Sequence, residues 1–454
     1  MADALRRLLR LFLRVFFRRV ETGGMGRVPA AGPLVLVLNH PNGLIDPLFV
    51  LAYAPRPVAF LAKAPLFRMP LIGTFVRAFG SIPVERRQDA GADLAKNRQM
   101  FARVREHLAR GGAVALFPEG TSHSDPRLRP IKSGAARIAL GVRGPAPTRI
   151  QPVGLVYTAK ATFRSEALVT YGEPFEIEPA PLDELGEPPP DRVEELSARI
   201  GRALAALTLE SDQEEVLDLA GRAEAIIRSA GTEADPPAAP LGERVEVRRR
   251  LLTGYAALQT RNPELLERLR RRIARYERRM TGAGIDPGDI PAGRYSAAAV
   301  LAGTLRLLAR FVLLLPLGVP GLVIHYPPYR LIGFLTGRVG PRERESLATV
   351  KLTTAFLLFP LVWLGAALLA ARVGGWAAGA LAALLVPLSG WMALRLAELW
   401  DQTAGAARAL VLYLLGRRRF LHLQAERAAI REDLTRIGRD LDLGGSPSMP
   451  ERAG

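Results

Sequence analysis

The chain contains no cysteine. A disulfide framework, a thiolate nucleophile and a cysteine-ligated metal are therefore excluded. Histidine is scarce, with only His40, His107, His123, His325 and His422 present. None forms a His-x-x-x-His pair, so no histidine-rich zinc site is expected. Acidic residues are outnumbered, 44 against 62 basic ones, and the formal net charge is +18. That balance implies an anionic partner: nucleic acid, anionic lipid or a phosphorylated substrate. Zinc-finger and RNA-binding signatures are missing, and the charge is spread along apolar and amphipathic stretches, so no nucleic acid is expected. The N-terminus also lacks a continuous apolar run. Arg6, Arg7, Arg10, Arg14 and Arg18 interrupt it, so it does not read as a signal peptide.

At 454 residues the chain is too long for one ordinary core, and roughly two to four domains are expected. Residues 1–25 read as an amphipathic helix, with Arg7, Arg10, Arg14 and Arg18 on one face and Leu5, Leu9, Phe12 and Phe16 on the other. Such a helix lies in a membrane interface or docks on a soluble core. The interfacial reading is preferred here because further apolar segments follow. Residues 26–180 alternate strand and helix. Strands are expected at Leu34–Leu38, Val58–Leu61, Ala113–Phe117, Ile150–Tyr157 and Ala167–Tyr171, with helices at Asp46–Ala54 and Leu94–Arg110. This alternation predicts an α/β layer fold with a largely parallel sheet.

The proline-rich, acidic stretch 179–190 marks a boundary. Residues 181–290 then read as a charged helical extension, and Leu265, Leu269, Ile273 and Tyr276 mark one face of a helical hairpin. Residues 291–420 read as a membrane region. Leu352–Ala371 and Trp376–Leu394 carry no charge, are each about 20 residues long and are joined only by Arg372-Val373-Gly374-Gly375, which predicts a tight transmembrane hairpin. Phe311–Ile324 is shorter and interrupted by Pro316 and Pro320, so it is expected to be re-entrant or interfacial. Lys351 before the hairpin, and Arg395, Arg408 and Arg417–Arg419 after it, place both outer ends in the cytoplasm. Residues 421–454 read as a charged helix followed by a disordered tail.

Chemistry centres first on His40 and Asp46. The apolar run Leu34–Leu38 ends in Asn39-His40-Pro41-Asn42-Gly43-Leu44-Ile45-Asp46-Pro47. On one uninterrupted helix, six steps of about 100° would point the two side chains apart. They meet only if Gly43 lets the chain turn first. Asp46-Pro47 alone would equally suit a capped helix start. Further along, Gly80-Ser81-Ile82-Pro83-Val84-Glu85-Arg86 joins a glycine turn and a short strand to a guanidinium suited to phosphate. Phe117-Pro118-Glu119-Gly120-Thr121-Ser122-His123 follows another strand with a sharp turn. Lys132-Ser133-Gly134 then opens a helix where an anion would be favoured.

In this order, over about 120 residues, these pieces and Ile150-Gln151-Pro152-Val153 resemble the four blocks of the phospholipid/glycerol acyltransferase superfamily. Five residues rather than four separate His40 from Asp46, and Ser122 stands where arginine is common. Both departures, with Phe163-Arg164-Ser165, Tyr171-Gly172-Glu173-Pro174, Leu207-Thr208-Leu209 and Arg248–Tyr255, resemble the fungal-type glycerol-3-phosphate/dihydroxyacetone-phosphate acyltransferases. The resemblance implies a glycerolipid-acyltransferase-type sheet flanked by helices, with a helical extension and a C-terminal membrane hairpin.

It further implies that His40 is the general base, Asp46 holds its tautomer, and the substrate hydroxyl is the nucleophile. Arg86 would grip the acceptor phosphate. Glu119, Gly120 and Thr121 would position the polyol and phosphate, with Lys132 a further phosphate contact. Gly80 and Pro118 would support their turns. Asn39 would either support its turn or donate to developing oxyanion charge. His123 reads as a loop histidine. The implied function is acyl transfer from acyl-CoA or acyl-carrier protein to glycerol 3-phosphate or dihydroxyacetone phosphate, with no bound cofactor or metal, on the cytoplasmic face of the inner membrane. An alternative acceptor is 1-acylglycerol 3-phosphate. Two other classes are a non-catalytic lipid-binding scaffold and a small channel, the latter disfavoured because the two spans hold no ionisable pair.

Overall fold

The structure is a computed structural model. It describes residues 2–43, 45–68, 72–84, 94–159, 162–228, 239–285, 297–339 and 344–441. The chain divides into two compact units, Met1–Glu210 with Arg338–Leu352, and Ser211–Gly337 with Thr353–Gly454. The first division therefore falls after α6 (below) rather than at the expected 180/181, because the proline-rich stretch leads into a helix that packs back on the sheet.

The first unit is built from α1 (Ala2–Phe16), β1 (Arg19–Gly23), β2 (Leu34–Leu38), α2 (Ile45–Tyr53), β3 (Ala59–Lys63), α3 (Ile72–Ala78), β4 (Ile82–Val84), α4 (Leu94–Ala109), β5 (Ala113–Leu116), α5 (Gly134–Leu140), β6 (Thr148–Tyr157), β7 (Glu166–Tyr171), β8 (Phe175–Ile177) and α6 (Pro190–Ala205). Its eight strands run in the order β1-β7-β6-β2-β5-β3-β4, with β8 on β6. Five pairings are parallel, and the two made by β7 and β8 to β6 are antiparallel.

The sequence of β2 shows how the layers form. Leu34, Leu36 and Leu38 face one core with Leu13, Phe17 and Phe49, while Val35 and Val37 face a second with Val104, Ile138 and Ile200. A strand buried on both faces reads as an unbroken apolar run, and each such side chain contributes about 1.5–3 kcal/mol. One helical layer is α1 and α2, and the other α4, α5 and α6.

The expected extent of the helix over 1–25 is corrected. The helix stops at Phe16, and Arg19–Gly23 pairs in parallel with β7. Leu9, Leu13 and Phe16 are buried in the protein core, and Arg10 Nε donates to Ala52 O at 2.8 Å. An amphipathic period shows that a helix has an apolar face, and that face can be covered by a sheet layer as well as by lipid. Leu8 and Leu11 remain more than half exposed.

The second unit holds α7 (Glu214–Arg228), α8 (Leu241–Arg261), α9 (Pro263–Gly282), α10 (Ala297–Val339), α11 (Arg344–Leu415) and α12 (Arg417–Asp440). Ala223, Ile226, Ile273, Tyr276, Met280, Phe420, Leu423 and Ile430 form its helical core. The expected hairpin is α8–α9. Asn262 caps α9 by accepting from the Leu265 N–H at 3.0 Å, with Pro263 at the first helical position.

Of the re-entrant or interfacial segment expected at 311–324, the re-entrant alternative is corrected. Pro316, Pro320, Pro327 and Pro328 all lie inside the single helix α10, whose stretch Leu308–Arg338 is apolar and long enough to cross a membrane. Proline is tolerated in such helices when neighbours meet the freed backbone groups. In α11 the helical path is interrupted at Gly375 (φ 79°, ψ 177°). The chain reverses there, since a Cβ on Gly379 would lie 2.6 Å from that of Ala371. The arms containing 352–371 and 376–394 therefore fold back on each other. Gly321 of α10 packs on Ser389, and Trp363 Nε1 donates to His325 Nε2 at 2.9 Å. Residues 442–454, where a disordered tail was expected, lie outside the described residues.

Candidate active site

Strands β2 to β6 run parallel, so their carboxyl ends open on one edge, the place where open α/β sheets bind ligands. β2 leaves the sheet at Leu38, its last rung opposite Val153, while β6 continues four residues further to Tyr157. Asn39 takes the place of the next rung. Its Nδ2 donates to Leu155 O at 2.9 Å and its Oδ1 accepts from the Leu155 N–H at 2.7 Å. Gly43, at φ +31°, bends the chain into α2, where the N–H groups of Ile45 and Asp46 both donate to Asn42 O. A side chain is strained in that conformation, which is why glycine stands there.

This turn brings His40 Nδ1 to 2.8 Å from Asp46 Oδ2. The same oxygen accepts from the Asn42 N–H at 2.7 Å, and Oδ1 accepts from the Tyr157 hydroxyl at 2.6 Å. Asp46 is fully buried, so its charge depends on these donors. With Nδ1–H turned to the carboxylate, Nε2 is the basic nitrogen of His40. The ring stacks on Phe117 with centroids 3.8 Å apart, and its side chain keeps 12% of its surface accessible, enough for a substrate to reach it.

The turn after β5 is the second wall. Glu119 Oε1 accepts from the His40 N–H at 2.8 Å. Its Oε2 accepts from the Arg129 N–H at 2.8 Å and pairs with His123 Nε2. The His123 N–H in turn donates to His40 O at 3.1 Å. Burial opposes the charge on Glu119. The His123 hydrogen bond and charge, with the Arg129 and His40 amides, outweigh it and hold the carboxyl below its ordinary range. Gly120 sits at φ +75° with the Lys132 side chain over it, so a Cβ there would collide with the lysine. The Lys132 N–H donates to Pro118 O at 2.8 Å, and Thr121 Oγ1 reaches Ser122 O at 3.4 Å. Gly80 (φ +63°) turns the chain into β4. Arg86 lies outside the described residues. Among the described residues no group of three or more histidine or acidic side chains is placed to hold a metal.

Two family models match this chain: "Acyltransferase" over residues 19–156, and "Glycerol-3-phosphate acyltransferase 2 C-terminal domain" over residues 233–442. The chain thus joins an acyltransferase domain to a C-terminal domain of the glycerol-3-phosphate acyltransferase 2 type. It is 24% identical to an uncharacterised acyltransferase of Schizosaccharomyces pombe, over 78% of this chain and 66% of that one. It is 27% identical to glycerol-3-phosphate O-acyltransferase 2 of Saccharomyces cerevisiae, over 60% of this chain and 38% of that one. It is 24% identical to glycerol-3-phosphate O-acyltransferase 1 of the same yeast, over 76% of this chain and 56% of that one. The chain thus spans between 38% and 66% of the length of these relatives.

Within this acyltransferase domain the structure brings His40, Asp46, Asn39, Pro118, Glu119, Gly120, Thr121 and Lys132 to one sheet edge. One expected role changes, and one of the two alternatives for Asn39 is selected. Glu119 is buried with both oxygens held by the protein, so it shapes the His40 loop rather than facing a polyol. Asn39 is bound at both ends of its amide by Leu155, so it supports the turn rather than an oxyanion. His123, expected to be a plain loop histidine, is part of the Glu119 network. Its spacing of four from Glu119 was the available signal. Tyr157 was not singled out from sequence, and Phe117 only as the first residue of its block, with no contact to His40 expected. Both are aromatic residues at strand ends, which looks the same in sequence whether they fill a core or touch a site.

Proposed function

We propose that this acyltransferase moves a fatty acyl group from an acyl thioester, acyl-CoA or acyl-carrier protein, to a hydroxyl of glycerol 3-phosphate or dihydroxyacetone phosphate. The observation that carries this reading is the 2.8 Å contact between His40 Nδ1 and the buried Asp46, which makes Nε2 a base at a partly open sheet edge. The names of the yeast relatives support the acceptor. His40 Nε2 takes the hydroxyl proton as the oxygen attacks the thioester carbonyl. The C–S bond breaks, and the imidazolium returns the proton to the leaving thiolate. Asp46 stabilises the imidazolium, no acyl-enzyme forms, and no bound cofactor is required. Arg86 is assigned to the acceptor phosphate, with Lys132, Gly120 and Thr121 lining the approach.

The protein is assigned to the cytoplasmic face of a cell membrane, with membrane lipid as a partner and a product that leaves into lipid. Support comes from the exposed apolar side chains of α10 and α11 and from Leu8 and Leu11 on α1. The basic residues Lys351 and Arg417–Arg419 flanking the hairpin give the orientation.

The test is thiol release from acyl-CoA by detergent-solubilised full chain with a panel of acceptors. Glycerol 3-phosphate or dihydroxyacetone phosphate is expected to trigger release. Release only with 1-acylglycerol 3-phosphate would overturn the acceptor assignment, and release with none would overturn the reading.

A further inference from the structure

We propose that Tyr157 is a positioning residue for the His40–Asp46 pair: its hydroxyl fixes the carboxylate and draws off part of its charge, and so sets the pH at which His40 becomes a base. This rests on the acyl-transfer reading above and assigns a new residue to the same site.

The placement follows from strand lengths. β6 pairs with β2 only as far as Val153, and Asn39 seals the next position through Leu155. Two residues on, with the same facing as Val153 and Leu155, Tyr157 projects into the core beneath α2. There its hydroxyl meets Asp46 Oδ1 at 2.6 Å. The ring is held in a three-ring aromatic cluster, stacked on Phe17 with centroids 5.6 Å apart and tilted on Phe49 at 5.8 Å, the two phenylalanines themselves 5.2 Å apart. Phe17 lies at the junction of α1 and β1, so the N-terminal segment itself holds the phenol against the carboxylate.

The chemistry is directional. Asp46 takes one hydrogen bond from His40, one from a backbone amide and one from Tyr157. Each donor lowers the carboxylate's demand for the imidazole proton. Burial, then the Asp46 charge and hydrogen bond, push the Tyr157 phenol well above its ordinary range, so it remains a donor at any working pH. Without the hydroxyl, Asp46 would stabilise the imidazolium more strongly. His40 would then lose its proton at higher pH. The other titratable and charged groups facing this corner are Glu119 and His123 after β5, Tyr53 on α2, and Arg10 and Arg14 on α1 that act on Tyr53. They are the same in wild type and variant and cancel in the comparison.

The experiment compares pH profiles of kcat/KM for the full-length wild type, Tyr157→Phe and His40→Ala. Tyr157→Phe is expected to lower kcat about tenfold, leave the acceptor KM within about twofold, and move the acid limb up by about half a pH unit or more. A merely structural tyrosine would lower the amount of active enzyme without moving that limb. If His40→Ala is inactive but Tyr157→Phe keeps the wild-type limb, this proposal is overturned and the acyl-transfer mechanism stands. If His40→Ala remains active, the mechanism falls and the proposal with it. Should Tyr157→Phe not fold, replacement of Tyr157 by 3-fluorotyrosine keeps the shape and sharpens the donor. The limb is then expected to move down, and an unmoved limb overturns the proposal.

Discussion

At Glu119 both carboxylate oxygens are taken by the protein: the His40 amide on one, and the Arg129 amide and His123 ring on the other. Glu119→Gln turns an NH₂ group toward at least one of these donors. It is expected to cost about 1–3 kcal/mol and to lower the thermal midpoint together with activity. A residue that only touched substrate would raise KM and leave the midpoint unchanged. The folded-state carboxyl is held below its ordinary range, so its contribution is present above the unfolded pKa and lost as pH falls through the folded one. Wild-type stability should therefore drop as pH falls below about 4, and the drop should be shallower in Glu119→Gln when both are followed by thermal unfolding. Arg86→Ala is expected to raise acceptor KM about tenfold or more with kcat little changed, as read in acceptor titrations. The His40–Asp46 pair was legible in sequence because Gly43 advertises the bend that joins them. Tyr157 was not, because no residue records that β6 outruns β2.

The strands of the sheet were legible as apolar runs, and β2 matches its expected bounds at Leu34–Leu38. β1 and β8 were not, being short and partly polar, and paired because an edge of the sheet receives them. The same lack of context set the end of α1 too late, although part of its apolar face seals a core, and misread the prolines of α10, which do not end its helix. In α10 and α11 the informative residues are glycines. A Cβ on Gly321 would stand 2.0 Å from the Ser389 carbonyl oxygen, which is backbone and cannot swing away. Gly321→Ala is expected to cost about 1–3 kcal/mol and lower the melting temperature in detergent. Gly333→Ala, with nothing near its Cβ, should leave it unchanged and serves as the control. Equal melting temperatures for the two would contradict this packing.

Over the whole chain, the two family models fall on different parts of the division, 19–156 within the α/β unit and 233–442 almost wholly within the helical one. The apolar α10 and α11 predict that the protein stays in the membrane pellet after a high-salt wash, which removes contacts made by charge alone. Release by salt would contradict the assignment of spanning helices. Chemistry and membrane attachment meet in the proposed function, in which a lipid-bound domain uses the His40–Asp46 pair to acylate a phosphorylated glycerol. The most direct test is acceptor-dependent thiol release from acyl-CoA by wild type and His40→Ala, with matched folding checked by thermal unfolding. The account predicts glycerol 3-phosphate-dependent release by the wild type and a loss of about 10²–10⁴-fold in His40→Ala. Release by His40→Ala at near the wild-type rate would contradict it.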